Sequence, residues 1–223
     1  MRVLIHLSNC VPAFQPTAGQ LAALSTSAAP HDIVVAEQEE DFLAALPAAD
    51  AVVVWRFEAS WYGRASRLAH VFTPAAGREG FAPDPAERVI RHFGRFHGAI
   101  MAESLLAMIA FMNRRMGVAL AAQAVEHWDR SPYSKCRRLH GQSALIIGFG
   151  AIGHVCGRLL SGLGMRVEGL RRSALPSAGA SRTWPAERRL EAVASADHVV
   201  CVLPGDTETD HFLDATAFAH MKP

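Results

Sequence analysis

The residues Gly148-Phe149-Gly150-Ala151-Ile152-Gly153 place three glycines at the spacing GxGxxG. The apolar run Leu145-Ile146-Ile147 precedes them, and Val155-Cys156-Gly157-Arg158-Leu159-Leu160 follows in helical rhythm. A buried strand that turns sharply into a helix leaves N–H groups unpaired at the positive end of the helix dipole, which is an anion site. A nucleotide pyrophosphate is its usual occupant. The glycines have separate tasks: Gly148 makes the tight turn, Gly150 admits the pyrophosphate, and Gly153 lets helix and strand pack closely. Ala151 and Ile152 supply the first N–H groups of the helix.

A lone GxGxxG is a weak signal, but here a second strand, Met165 to Leu170, follows at the distance one βαβ unit demands. The end of that strand discriminates between dinucleotides. A site for NAD places Asp or Glu there, about 20 residues past the glycines, to bind the ribose hydroxyls. This chain has Arg171-Arg172-Ser173. Two guanidiniums and a hydroxyl suit a 2′-phosphate, and no carboxylate is present to repel it. NADP(H) is therefore expected over NAD(H). Further on, Asp197 to Pro204 has the pattern of a buried strand. Its end, Leu203-Pro204, and the loop through Thr209 fall where they would face the adenosine and the nicotinamide ribose.

A second candidate site lies in the first half. The strand pattern at Leu68 to Phe72 ends in Thr73-Pro74-Ala75-Ala76-Gly77-Arg78. The N–H groups of Ala76, Gly77 and Arg78 could hold a carboxylate, with Arg78 adding charge. An ordinary Pro/Gly loop has the same local sequence.

The elements that must position these groups alternate between strand and helix. Val3 to Leu7, Ile33 to Val35 and Ala51 to Trp55 are apolar strand patterns; residues 18–29 and 39–46 are helical ones. An open, doubly wound parallel α/β sheet is the economical reading. From Ala99 to Val125 the pattern predicts one long helix, apolar on nearly every face and hence buried, between domains or against another subunit. Arg182 to Trp184 is expected as a short strand, with helices over Ala186 to Ala194 and Phe212 to Met221.

With 223 residues and half of them hydrophobic, the chain can bury a large core in one or two domains. A net charge of +1 gives no reason to expect nucleic acid or an anionic membrane as partner. The cysteines at 10, 136, 156 and 201 are too dispersed for a zinc pattern or a disulfide framework, and buried reduced thiols are expected. No HExxH or paired-ligand spacing supports a metal site among the histidines. The first apolar run is too short for a signal peptide, and Ala99 to Met112 too short and interrupted for a membrane span. A soluble, cytoplasmic protein is expected.

These residues resemble the D-2-hydroxyacid dehydrogenase family, which includes glyoxylate/hydroxypyruvate reductases and phosphoglycerate dehydrogenases. The resemblance is carried by Ala102-Glu103, Asn113-Arg114-Arg115, His127-Trp128, Leu139 to Gln142, the glycine motif, Leu163 to Val167, Ala196-Asp197, Leu203-Pro204, Thr207-Glu208-Thr209 and His220 to Pro223. It implies a flavodoxin-like substrate domain over residues 1–97 and a Rossmann NAD(P)-binding domain over 98–223. It also implies that Ala76, Gly77 and Arg78 bind the substrate carboxylate, and that the full-length protein forms a homodimer. The family's catalytic Arg, acidic residue and His follow the Met-Lys-Pro segment, where this chain ends. No residue of this chain, His198, His211 and His220 included, takes a catalytic role on that reading. The expectation is an NADP(H)-dependent reductase of a small 2-oxo acid such as glyoxylate or hydroxypyruvate, represented by a chain inactive by itself. The alternative is a non-catalytic dinucleotide-binding or interaction protein on the same fold.

Overall fold

The computed structural model describes residues 1–172 and 179–223. The chain forms two compact units, Met1–Gly94 and Arg95–Pro223.

Unit 1 contains β1 (Arg2–His6), α1 (Ala18–Ser27), β2 (Asp32–Val35), α2 (Glu39–Ala45), β3 (Ala51–Val54), β4 (His70–Thr73) and β5 (Ile90–Phe93). All pairings are parallel, in the order β2-β1-β3-β4-β5. That is the flavodoxin-like order. Thr17 caps α1 by accepting the Gln20 N–H, while the Gln20 side chain accepts the Thr17 N–H. The core gathers Leu4, Phe42, Leu46, Val52, Val54, Phe57, Trp61 and Val71 on one face of the sheet. The strand β5 has no counterpart among the sequence expectations. Its residues Ile90-Arg91-His92-Phe93 lie on the sheet edge and lack the continuous apolar run that marks β3.

Unit 2 contains α3 (His97–Asn113), α4 (Met116–Ala124), β6 (Ser143–Ile147), α5 (Ala151–Gly162), β7 (Arg166–Arg171), β8 (Arg182–Pro185), α6 (Arg189–Ser195), β9 (His198–Cys201) and α7 (Ala215–His220). The parallel sheet runs β8-β7-β6-β9. Counted from β6 this is the order 3-2-1-4 of a Rossmann sheet, with the reversal beside β6. Every residue of β6 is buried. Ala144 and Ile146 pack with α3 and α5 on one face; Leu145 and Ile147 pack with Trp184 and α6 on the other. In α5 the buried positions Gly153, Cys156, Gly157 and Leu160 make one stripe toward the sheet.

Three expectations are corrected here. The apolar stretch after Ala99 is two helices, because Arg115 takes a left-handed φ of 55° and the chain bends by 69° between α3 and α4. Within this chain alone its burial is confined to one stripe. Gly98, Ala102, Leu105, Ile109 and Asn113 form one buried stripe in α3, whereas Ile100, Met108, Phe111 and Met112 are exposed and α4 buries nothing. Among the described residues no single helix is long and apolar enough to cross a membrane. The strand β9 is a sheet edge, so its residues are only half-buried and Cys201 is exposed. The thiols differ likewise: all four are free, but Cys156 alone is buried.

Candidate functional site

The glycine turn is fixed from several sides. Gly148 has φ +91°, and a Cβ there would lie 2.8 Å from the Val202 carbonyl oxygen. Both conditions select glycine. The N–H groups of Gly148 and Phe149 donate to the Leu170 carbonyl, at 3.0 and 3.4 Å, which ties the turn to the end of β7. A Cβ on Gly153 would lie 2.7 Å from the Gly148 carbonyl oxygen, so the first turn of α5 rests directly on the turn backbone. Gly150, the N-cap of α5, differs: nothing lies within 4 Å of its Cβ position. A methyl group there would meet no protein atom. The N–H groups of Ala151, Ile152 and Gly153 precede the first bond of the helix, from the His154 N–H to the Gly150 carbonyl at 2.9 Å. They face outward at its positive end. This open cradle fits a pyrophosphate.

Arg171 is the last residue of β7 and is half-buried; Arg172 follows it and is exposed. Ser173 lies outside the described residues. The acid of β7, Glu168, is turned into the core, where it accepts a hydrogen bond from the Trp184 indole at 2.6 Å and pairs with Arg166 at 3.6 Å. It is therefore unavailable to a ribose. Across the mouth of the sheet, Leu203 packs against the apolar cluster that contains Trp184 and Val193. The loop after it is pinned by Asp206, whose carboxylate accepts the N–H groups of Glu208 and Thr209 at 3.0 Å each. The Thr209 hydroxyl donates to the Pro204 carbonyl. A cavity of about 640 Å³ lies against this loop, lined by Leu203, Pro204, Thr209, Cys201 and Phe212 among others.

Two networks hold the opposite, amino-terminal end of the sheet. Asp197 accepts the Ser143 N–H and hydroxyl, both at 2.8 Å, and the Lys222 ammonium at 2.9 Å. Desolvation alone would raise the Asp197 carboxyl, but the bonds from Ser143 and Lys222 hold it well below the usual carboxylate range. Beside it, the Gln142 carbonyl oxygen accepts from Asn113 at 2.7 Å and contacts His198 Nε2 at 2.8 Å. Burial pushes the His198 imidazole down; Asp197 opposes that and Arg137 adds to it.

In unit 1, Ala76, Gly77 and Arg78 form the loop after β4. The Ala75 N–H donates to the Thr73 hydroxyl at 3.1 Å, and the Gly94 N–H to the Ala75 carbonyl at 2.9 Å. The Glu79 carboxylate folds over Gly77 into the space a side chain would need. The Arg78 guanidinium lies 5.3 Å from the Phe93 ring centroid. This loop thus carries a carboxylate of its own beside the glycine.

The structure brings Gly148, Gly150, Ala151, Ile152, Gly153, Arg171, Arg172, Leu203, Pro204 and Thr209 together at the carboxyl ends of β6, β7 and β9. Ala76, Gly77 and Arg78 belong to the other unit. The sequence places Asp206 and Glu208 on the loop that faces the cofactor but gives neither a role of its own, and it gives none to Phe149, the middle residue of the first GxG. The Asp-Thr-Glu-Thr run is a turn signal for Asp206.

A parallel sheet with a glycine turn at its switch point defines a nicotinamide-dinucleotide-binding domain. Residues 106–223, more than half of the chain, match the family model described as D-isomer specific 2-hydroxyacid dehydrogenase, NAD binding domain, and the chain belongs to that family. Among solved structures it is similar to a D-isomer specific 2-hydroxyacid dehydrogenase family protein from Aeromonas salmonicida, at 25% identity and TM-score 0.79, covering 100% of this chain and 70% of that one. It also resembles an NADPH-dependent glyoxylate/hydroxypyruvate reductase from Sinorhizobium meliloti, at 21% identity and TM-score 0.79, over 100% of this chain and 68% of the other. An NAD-dependent formate dehydrogenase from Staphylococcus aureus matches at 16% identity and TM-score 0.72, over 100% and 71%. These last two show the shared fold.

Proposed function

We propose that this chain is the substrate unit and the dinucleotide unit of an NADP(H)-preferring reductase that converts a small 2-oxo acid, of the glyoxylate or hydroxypyruvate type, to the D-2-hydroxy acid. One observation carries the cofactor preference. The tip of β7 presents Arg171 and Arg172, while Glu168, the acid of that strand, is committed to Trp184. The site fits a 2′-phosphate and offers no β7 carboxylate to ribose hydroxyls.

When bound, the nicotinamide supplies the hydride. The protein must then hold the substrate carboxylate, polarise its carbonyl and deliver a proton to the forming alkoxide. Ala76, Gly77 and Arg78 are the proposed carboxylate loop. No residue up to Pro223 is assigned the proton-delivering role. The exposed apolar faces of α3 and α4 are the proposed surface of a cytoplasmic homodimer.

Titration of the protein with NADPH and NADH tests the cofactor preference. Tighter NADPH binding that is lost in Arg171→Asp supports it; equal or tighter NADH binding refutes it. Reading the coding sequence past Pro223, followed by NADPH oxidation with glyoxylate by any longer product, tests the activity. A longer product without turnover would favour the non-catalytic binding protein.

A further inference from the structure

An acid from the loop after β9 pairs with an arginine at the tip of β7. Glu208 Oε2 lies 3.8 Å from an Nη of Arg172. The two residues follow β7 and β9, which flank β6 on opposite sides. Their ion pair therefore reaches across the carboxyl end of β6, over the start of the glycine turn. Glu208 is not carried there on a slack loop. Its own N–H and that of Thr209 are both held by the Asp206 carboxylate, and the Asp206 N–H donates back to the Thr209 hydroxyl at 3.1 Å. The loop is further closed onto Pro204 by that same hydroxyl.

We infer that Glu208 is a specificity-determining residue: its carboxylate clasps Arg172 across the mouth of the dinucleotide site and competes there with a 2′-phosphate. The inference rests on the cofactor reading above and deepens it. An NADP-type ligand brings a dianion to the guanidinium that Glu208 neutralises, so the pair must open for it and the two anions then repel. A ligand with a free 2′-hydroxyl makes no such demand, and the same carboxylate is an acceptor for a ribose hydroxyl. Glu208 thus moderates the preference that Arg171 and Arg172 set. Both side chains are largely exposed, so the effect is small and salt-sensitive.

The test is fluorescence titration of the wild-type chain and Glu208→Gln with NADPH and with NADH, at low salt and at about 0.5 M salt. Alongside it, exchange of the Arg172 Nη–H protons with water is followed by NMR in the cofactor-free proteins. Glu208→Gln is expected to tighten NADPH about two- to fivefold at low salt, the gain an exposed pair of this kind allows. NADH should be unchanged or weakened, the difference should fade at high salt, and Arg172 exchange should speed up. Equal effects on both dinucleotides, or none, with Arg172 exchange unaltered, would overturn the clasp while leaving the cofactor reading intact. A wild-type chain that binds neither dinucleotide would overturn the cofactor reading and the competition with it, even if Arg172 exchange still responded to Glu208→Gln.

Discussion

The ring of Phe149 fills the space that a side chain at position 169 would occupy. A Cβ on Gly169 would lie 2.7 Å from Phe149 Cγ, and one on Gly157 would lie 3.0 Å from the far end of the same ring. Phe149 is 2% exposed and meets His154 edge-on at 4.7 Å. The middle residue of the first GxG is thus a wedge between α5 and the centre of β7. Together with the bonds from Gly148 and Phe149 to the Leu170 carbonyl, it sets the glycine turn against the strand that ends in Arg171.

Gly169→Ala should therefore destabilise the protein by about 1–3 kcal/mol through overpacking. It should also weaken dinucleotide binding, because the displaced ring moves the turn. Phe149→Leu in the same chain should recover part of both losses. Urea unfolding and dinucleotide titration of the two single variants and the double variant would check this. Strictly additive losses would show that the two positions are not coupled.

The glycines of the turn should separate stability from binding. Gly153→Ala meets backbone at 2.7 Å and should cost about 1–3 kcal/mol. Gly150→Ala meets open space and should change stability by less than about 1 kcal/mol, yet the methyl stands where a pyrophosphate would approach. A binding loss of tenfold or more in Gly150→Ala, at near wild-type melting temperature, is the expected result.

Asp197 should give the fold an acid-sensitive anchor. Its folded carboxyl is depressed below the ordinary value of 3.8, so its contribution is complete above that value and is lost as pH falls toward the folded one. Asp197→Ala should cost about 1–3 kcal/mol at neutral pH, mostly from the stranded Ser143 N–H, since the Ser143 hydroxyl keeps the Ser195 carbonyl as acceptor. The Lys222 arm is solvent-facing and should contribute under about 1 kcal/mol. Denaturant midpoints at pH 7 and near pH 3 should differ less for the variant than for the wild type.

His198 should act at higher pH. Its folded value lies below 6.5, so the unfolded chain takes up a proton that the fold resists. Stability should fall as pH drops below about 6.5, and level off once the folded imidazole is itself protonated. His198→Gln should flatten that part of the pH–stability curve. An unchanged slope between pH 7 and pH 5 would contradict this.

Much of the cofactor site was legible in the sequence because its chemistry is local. The strand–glycine–helix pattern is contained in a short window, and the basic tip of β7 follows at the span of one βαβ unit. The same holds for the parallel α/β fold, whose apolar β-branched runs mark the buried strands. Other features were not legible, the strand β5 and the break after α3 among them. Ile90 to Phe93 became a strand through pairing with β4, which no alternation within it announced. The helix after Ala99 broke at Arg114-Arg115, where neither residue type is a breaker; Arg115 takes the left-handed backbone there.

By itself, the sequence determined the local backbone chemistry of this protein: the strand–glycine–helix turn, the need for glycine within it, and that no acid ends β7. The tertiary structure decided which distant groups meet. It turned Glu168 inward to Trp184, seated Phe149 in the notch left by Gly157 and Gly169, and set Glu208 against Arg172 across β6. Periodicity and glycine spacing are encoded in neighbouring residues, whereas those pairings depend on strand order, which places the ends of β7 and β9 on either side of the glycine turn.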